Sequence, residues 1–523
     1  MPPKSEKFFY ITTPIYYVND VPHIGHAYTT IAADILARYK RLEGYQVFFL
    51  TGTDEHGQKV EKAAQDRGVD PKAHCDEMVK RFQSLWQRLA ISNNDFIRTT
   101  EIRHKKVVQK ILQDLYDRGE IYQADYQGWY CIPCERFWTE KDLTEGKCPD
   151  CLRSVSEISE KNYFFRMSKY HSWLIEHIEQ NERFILPSSR RNEILGFLRN
   201  PLEDLCISRP KKRLKWGIEI PFDTDYVTYV WFDALINYVS GIGFGSDGNP
   251  LSRFWPEAIH LIGKDILTTH TVYWPTMLRG IGLTPPKTVF AHGWWTIEGK
   301  KMSKSLQNVV EPNRLIDTYG VDAVRYFLMR EVPFGIDGDF SHSAMIHRIN
   351  SDLANDLGNL FSRTLSMVVK YFDGFIPTRD HIQEVDRKLQ EVSEAVFLQL
   401  SKEMNALAFN KALTSIWEIV GASNKYVDET APWALAKDEK DRHRLSTVLY
   451  QTLESLRLIT LLLAPFMPST SEKMWSQLGI EEDLWKQNLK EDGKWGGLKP
   501  GRKVTKPVPL FPRLDPSKIL QGA

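Results

Sequence analysis

Pro22-His23-Ile24-Gly25-His26 lies between a strand-like run, Phe8 to Tyr10, and a stretch from Ala27 to Arg41 whose apolar residues recur at helical spacing. The next β-like run, Gln46 to Leu50, completes a strand–helix–strand pattern, so the chain opens as a parallel α/β unit. Where a strand turns into a helix, the helix's first N–H groups and its dipole point beyond the strand end and suit a phosphate. His23 and His26 are three apart and share one face of that helix. Two imidazoles there could donate hydrogen bonds to charge developing on a phosphoryl group, and Gly25 lets a bulky ligand approach the backbone. Taken singly, the segment reads as well as two ordinary polar residues at a helix start.

Working outward, similar runs return at Thr228 to Val230, Ile259 to Ile262 and Thr288 to Ala291, each followed by a polar or glycine-bearing loop. One nucleotide-type sheet is therefore split by an insertion. The expected organisation is a first half at 1–118, an insertion at 119–225, a second half at 226–342, and a helical bundle at 343–523. The bundle is read from apolar residues at helical spacing, such as Leu353, Leu357, Leu360, Phe361 and Leu365. The tail from Lys499 to Pro516 is dense in Pro, Lys and Arg and reads as an extended strap.

Bulk properties agree with this division. At about 150 residues per domain, 523 residues suggest roughly three units. A content of 42% hydrophobic and 26% charged residues is that of a globular protein, and a net charge of +1 confines any nucleic-acid contact to local patches. No apolar run approaches the roughly 20 residues of a bilayer span; the longest, around Leu461 to Phe466, meets Pro465 and Pro468. The start, Met1 to Lys7, is polar and lacks the pattern of a secretory signal. Four of six cysteines form two close pairs, which points to metal in a reducing cytoplasm; Cys75 and Cys206 read as unpaired.

Two further motifs carry chemistry. Lys300-Lys301-Met302-Ser303-Lys304-Ser305-Leu306 suits a mobile clamp that sets ammonium charges against a polyphosphate, although alone it reads equally as a solvated basic turn. Its occurrence downstream of the histidine segment, across a split sheet, is far more specific than either motif. Cys131-x-x-Cys134 and Cys148-Pro149-Asp150-Cys151, with thirteen residues between, have the spacing of a tetrahedral zinc site with no position open for water, hence a structural one.

His23 to His26 and Lys301 to Ser305 are the HIGH and KMSKS signatures, and on them the chain resembles the class I aminoacyl-tRNA synthetases over nearly its whole length. The resemblance implies a Rossmann-like parallel-sheet catalytic domain, a zinc-binding connective insertion and an α-helical anticodon-binding domain. It also implies activation of an amino acid by ATP with Mg2+, followed by transfer to the 3′ end of a tRNA. His23, His26, Lys301 and Lys304 would be the catalytic residues, and these with Gly25, Gly263 and Asp265 would lie at ATP. Ala291-His292-Gly293-Trp294 would border the nucleotide, unless the tryptophan packs in the core.

Four runs look like the methionine branch of that family: Thr13-Pro14-Ile15-Tyr16-Tyr17, Gly52-Thr53-Asp54-Glu55-His56-Gly57, Tyr229-Val230-Trp231-Phe232-Asp233-Ala234 and Gly263-Lys264-Asp265-Ile266. By that match Pro14, Ile15, Tyr17, Trp231, Ala234, Tyr238, Ile266 and His270 would bind methionine through apolar walls and sulfur–aromatic contacts, and Asp54 would hold its ammonium. Leu235 departs from the proline that some relatives carry. Asn359, Arg363 and Trp433 match residues that read a CAU anticodon, which makes tRNA(Met), initiator included, the expected partner. No large editing insertion is present, the cysteines suffice for one zinc knuckle, and a monomer is expected.

Overall fold

The computed structural model describes residues 6–131, 136–138, 140, 143–149, 152–245, 250–297, 300–301 and 310–520. Its centre is a parallel sheet of six strands: β1 (Phe8–Tyr17), β2 (Gln46–Asp54), β3 (Asp95–Arg98), β4 (Ile185–Leu186), β5 (Ala258–Gly263) and β6 (Thr288–His292). Their order is β3-β2-β1-β5-β6-β4. Strand order reverses between β1 and β5, whose registers pair Tyr10 with Ala258 and Thr12 with His260. In an open parallel sheet that reversal leaves a crevice beyond the carboxyl ends of the two strands, where ligands bind. The histidine segment follows β1 and the Gly263-Lys264-Asp265-Ile266 run ends β5, so both converge there.

Helix α1 (Ile24–Leu42) covers the sheet and is buried along almost its whole length. After α2 (Ile102–Asp117) the chain leaves the sheet and forms an antiparallel hairpin, Ile121–Cys131 against Ser156–Phe165, in register from Ile121 opposite Phe165 to Tyr130 opposite Ser156. The inserted stretch is not a separate block. Within it β4 returns to pair with β6, Val289 opposite Ile185 and Phe290 opposite Leu186. Its residues Ile121, Phe165 and Ile207 share one apolar core with Leu112, Leu235 and Val289.

The C-terminal part is helical, with α3 (Val321–Arg330) leading into α4 (Asn359–Phe372), α5 (Phe409–Thr430) and α6 (Arg442–Leu463). Every residue of α6 from Leu445 to Leu463 is buried, so it is the bundle's central helix, and it carries its own ion pair. Glu454 accepts from Arg457 at 2.6 Å and from the backbone N–H groups of Gly496, Gly497 and Leu498. The tail lies along the bundle: Ile376 N–H donates to Arg502 O, Val504 N–H to Gly374 O, and Asn350 and Leu514 exchange two hydrogen bonds. Among the described residues no helix is long and apolar enough to cross a membrane.

Arg325, fully buried on α3, fastens the two halves together. Its guanidinium donates to Asp34 Oδ2 on α1 at 2.7 Å, to Leu89 O at 3.0 Å, and to Pro465 O and Phe466 O of the bundle at 2.9 Å each. The helix that carries the HIGH residues is thereby tied to the bundle through one side chain.

Candidate active site

His23 caps α1. Its Nδ1 accepts the Gly25 N–H at 3.1 Å, while His26 Nδ1 accepts the His23 N–H at 3.2 Å, which makes a reciprocal capping box built from imidazoles. A nitrogen that accepts carries no proton, so in the neutral form both rings keep theirs on Nε2. The rings stack with centroids 3.7 Å apart, and burial pushes both below the ordinary histidine range, His26 the further. Two neutral rings thus offer two Nε2–H donors side by side. A Cβ on Gly25 would meet the His23 ring at 3.0 Å, so this glycine makes room for the cap itself, where the sequence suggested room for a ligand.

An irregularity in β1 shapes the carboxyl end of that strand. The β1–β2 register shifts between Thr12 and Ile15, at Pro14, which has no N–H to give the ladder. The bulge re-aims the residues beyond it: Ile15 and Tyr17 are half-buried, and Tyr17 pairs in register with Asp54, which is buried at the carboxyl end of β2. Tyr238 and His270 meet across the pocket, the Tyr238 hydroxyl lying 2.8 Å from His270 Nε2. His270 Nδ1 faces Ile266 O at 2.9 Å and must carry the proton, so Nε2 accepts and the tyrosine donates. Burial holds His270 down at about 4. The half-buried Trp231 ring stands edge-on to His270 with centroids 6.4 Å apart, while Ala234 and Leu235 are buried on the same short helix. The chain forms a π turn over Thr269–Tyr273, around His270, ahead of the helix Trp274–Ile281.

Residues that the sequence did not single out hold these pieces in place. Asp233 accepts from His56 Nδ1 at 2.7 Å and from His104 Nε2 at 2.6 Å, and His104 Nδ1 is 2.8 Å from Ser240 Oγ. Burial alone would raise the Asp233 carboxyl, but the His56 and His104 imidazoles beside it and their hydrogen bonds outweigh it and hold it at about 2. Glu55, also buried, takes both arms of Arg98, at 2.6 and 3.0 Å, and its backbone oxygen accepts from the Trp216 indole. A Cβ on Gly52 would sit 2.0 Å from Ile97 O, so only glycine lets β2 lie this close to β3.

On the other side of the crevice, His292 at the end of β6 meets Thr29 of α1 at 2.6 Å. The two adjacent tryptophans part ways: Trp295 is core, while Trp294 is half-buried, donates its indole N–H to Asp265 Oδ1 at 3.0 Å, and has Lys264 Nζ 4.2 Å from its ring centre. Lys264 and the Trp294 N–H are both held by Asp337, at 2.7 and 2.8 Å. A Cβ on Gly293 would meet the Ile336 backbone at 2.2 Å, so that close approach requires glycine. Asp265 is exposed beyond Gly263.

Of the lysine loop, the backbone of Lys300 and Lys301 is described, as a short strand antiparallel to Trp295–Ile297; Met302 to Ser305, with Lys304, and the Lys301 side chain lie outside the described residues. So do Cys134 and Cys151, while Cys131 and Cys148 are buried. Around the second pair, Cys148 N–H donates to Arg153 O at 2.9 Å and Leu152 N–H to Cys148 O at 2.8 Å, closing a tight turn. Cys75 and Cys206 are buried apart from them, Cys206 Sγ accepting from Arg209 at 3.5 Å. In the bundle, Asn359 is exposed at the start of α4, one turn from Arg363, which pairs with Asp428 at 3.1 Å and Asn424 Oδ1 at 3.1 Å. Trp433 is 45% exposed, an uncommon placement for tryptophan outside a binding surface.

A parallel sheet with paired imidazoles at its switch point, an aromatic pocket beside them and a docked helical bundle defines the architecture of a class I tRNA synthetase. The family model described as "tRNA synthetases class I (M)" matches residues 9–158 and 152–365, and that described as "Anticodon binding domain of methionyl tRNA ligase" matches 376–519. The chain is 52% identical to the methionine-tRNA ligase of Caldanaerobacter subterraneus over 98% of its own length and 80% of that protein. It is 47% identical to the one from Bacillus subtilis, over 98% and 79%. Among solved structures, Mycobacterium tuberculosis methionyl-tRNA synthetase in complex with methionyl-adenylate superposes with a TM-score of 0.93 at 42% identity, covering 97% of this chain and all of that one. Its apo form gives 0.87 at 39%, covering 99% of this chain and all of that one. The chain belongs to the methionine-tRNA ligase family.

Proposed function

We propose that the chain activates methionine with ATP and transfers it to tRNA(Met), initiator included, and that the residues assembled above divide the work as follows. The observation that carries the reading is the imidazole capping box, which leaves the proton of both rings on Nε2 at the helix start just beyond β1. A methionine carboxylate oxygen attacks the α-phosphorus of ATP in line, the bond to the bridging oxygen breaks, and pyrophosphate leaves. His23 and His26 donate to the charge that grows on the reacting phosphate, and Lys301 and Lys304 follow the departing pyrophosphate. Mg2+ bound with ATP supplies further charge neutralisation. Because both rings are held neutral, they act as hydrogen-bond donors and need no change of charge during the step.

Asp54 holds the methionine ammonium, and Pro14, Ile15, Tyr17, Trp231, Ala234, Tyr238, Ile266 and His270 enclose the thioether. Gly25, Gly263 and Asp265 border ATP, with Trp294 fixing the Asp265 carboxylate. In the second step the terminal 2′-hydroxyl of the tRNA attacks the activated carbonyl and AMP leaves. Asn359 and Arg363 read anticodon bases, and Trp433, already exposed, stacks on one. On this reading 1–118 and 226–342 form the catalytic unit, 119–225 the connective part and 343–523 the anticodon-binding part. On the same reading the chain works as a monomer.

Cys131, Cys134, Cys148 and Cys151 would hold one zinc ion. The donor set is four thiols, and the two described ones are buried. The ion supplies a cross-link to a subdomain with little core of its own, and the thiols call for a reducing cytoplasm. Metal analysis of the purified protein should find one zinc per chain, lost in Cys148→Ser.

The decisive experiment is exchange of labelled pyrophosphate into ATP, run with each amino acid in turn. Methionine should stimulate it and the others should not. Exchange that ignores methionine would overturn the assignment.

A further inference from the structure

His260, the third residue of β5, is buried directly against Tyr238 and belongs to no wall or charge site described above. One face of the Tyr238 ring lies on the His260 imidazole, with centroids 4.1 Å apart and planes at 22°. Both nitrogens of that imidazole have partners of fixed polarity. Trp274 Nε1, which can only donate, faces Nε2 at 3.3 Å, so the proton sits on Nδ1, which donates to Thr12 Oγ1 at 2.8 Å. The ring is thus clamped between β1 and the helix Trp274–Ile281 and has one orientation and one tautomer. Tyr238 is fixed at two other points: its hydroxyl on His270 and its backbone oxygen under the Tyr10 hydroxyl at 2.7 Å. These hydrogen bonds fix an axis but leave rotation of the ring plane about it, and that rotation is set by the surface beneath the ring, with the Trp274 ring at its side, centroids 5.8 Å apart.

We infer that His260 is a specificity-determining positioning residue, which sets the depth of the thioether pocket by holding the plane of Tyr238. It touches no substrate. This inference rests on the reading of Tyr238 and His270 as pocket walls. A pocket that discriminates by shape separates substrates differing by one methylene by roughly 10–200-fold. Methionine and ethionine, its S-ethyl homologue, differ by that one group. If the imidazole is removed, the Tyr238 ring can sink into the space left, and that discrimination should collapse.

The test measures kcat/KM in pyrophosphate exchange with methionine and with ethionine, for the wild type, His260→Ala and His260→Gln. Glutamine keeps a donor and an acceptor for Thr12 and Trp274 but has no flat ring, so it serves if the alanine variant folds poorly. Expected is a rise of about tenfold or more in the ethionine-to-methionine ratio in both variants, with the KM for ATP unchanged. If both amino acids lose activity in the same proportion and the ratio stays at its wild-type value, His260 is merely structural and the inference is overturned. Tyr238→Ala separates the underlying reading: if removing the ring alters neither the methionine KM nor the ratio, Tyr238 is not a pocket wall, whatever the His260 variants do.

Discussion

Replacing Arg325 by methionine keeps most of the side-chain volume and removes the guanidinium donors that join α1 and the segment at Leu89 to the bundle. Three main-chain carbonyls, of Leu89, Pro465 and Phe466, and one carboxylate, Asp34, lose the guanidinium together. Asp34 is not left bare: Arg38 Nε stays at 2.8 Å and the Ser92 N–H and hydroxyl at 2.7 and 2.6 Å. The cost therefore falls mainly on the carbonyls, at about 1–3 kcal/mol for each buried acceptor that water cannot reach. Because the site can relax, a total of about 3–5 kcal/mol is expected, the range for breaking a buried ion pair from one side. Urea denaturation followed by tryptophan fluorescence measures it, with Arg38→Met, at the solvent edge of the same cluster, as the milder control. The loss should also be uneven in function. Pyrophosphate exchange uses the crevice alone, whereas aminoacylation needs crevice and bundle held in one geometry, so aminoacylation should fall further. A variant within 1 kcal/mol of the wild type, or one whose two activities fall equally, would refute the reasoning.

Other expectations follow from the same geometry. Lys304→Ala should slow adenylate formation far more than it weakens methionine binding, since the lysine meets charge that appears on pyrophosphate; equal losses in single-turnover rate and methionine Kd would count against a clamp. Trp433→Ala should lower kcat/KM for tRNA by about 5–150-fold, the equivalent of about 1–3 kcal/mol for one stacked base, and leave exchange unchanged; a drop in exchange would mark the tryptophan as structural. His270 is lowered from its ordinary 6.5 to about 4, so folding favours its neutral form. The stability it contributes, about 3 kcal/mol, is complete above pH 6.5 and lost as pH falls towards 4. His26, His260 and His292 are lowered by burial as well, so their contributions carry the same sign, and the urea midpoint should decline between pH 7 and 5. A flat midpoint would contradict it.

What could be read from the sequence was what is local in it. The HIGH tetrapeptide, the strand before it and the helix after it span fewer than forty residues, and the fold places them as their spacing requires. Neither a two-residue strand such as Ile185–Leu186 nor a bundle clamp such as Arg325 leaves a periodic trace. Each is defined by partners more than a hundred residues away, in β6 for the strand and in α1 and just past α6 for the clamp. The same holds for His104, which reads as one polar residue on an amphipathic helix and becomes a support for Asp233 only through a contact 129 residues along the chain.

The adjacent tryptophans at 294 and 295 show where the boundary between legible and illegible lies. Alternation along an extended segment puts neighbours on opposite faces, so one of the pair must turn towards the core and the other away from it. Sequence alone leaves open which is which, because both are equally apolar. The choice is made by Asp337, which takes the Trp294 N–H, and by Gly293, which lets the Ile336–Asp337 backbone come close enough to do so. With Trp294 turned outward, its indole N–H fixes Asp265 at the mouth of the crevice. The orientation of a candidate ATP contact therefore depends on a glycine and an aspartate outside that contact itself, and replacing Gly293 by alanine should disturb the Asp265 side of the crevice while leaving the aromatic cluster built on β1 and the π turn in place.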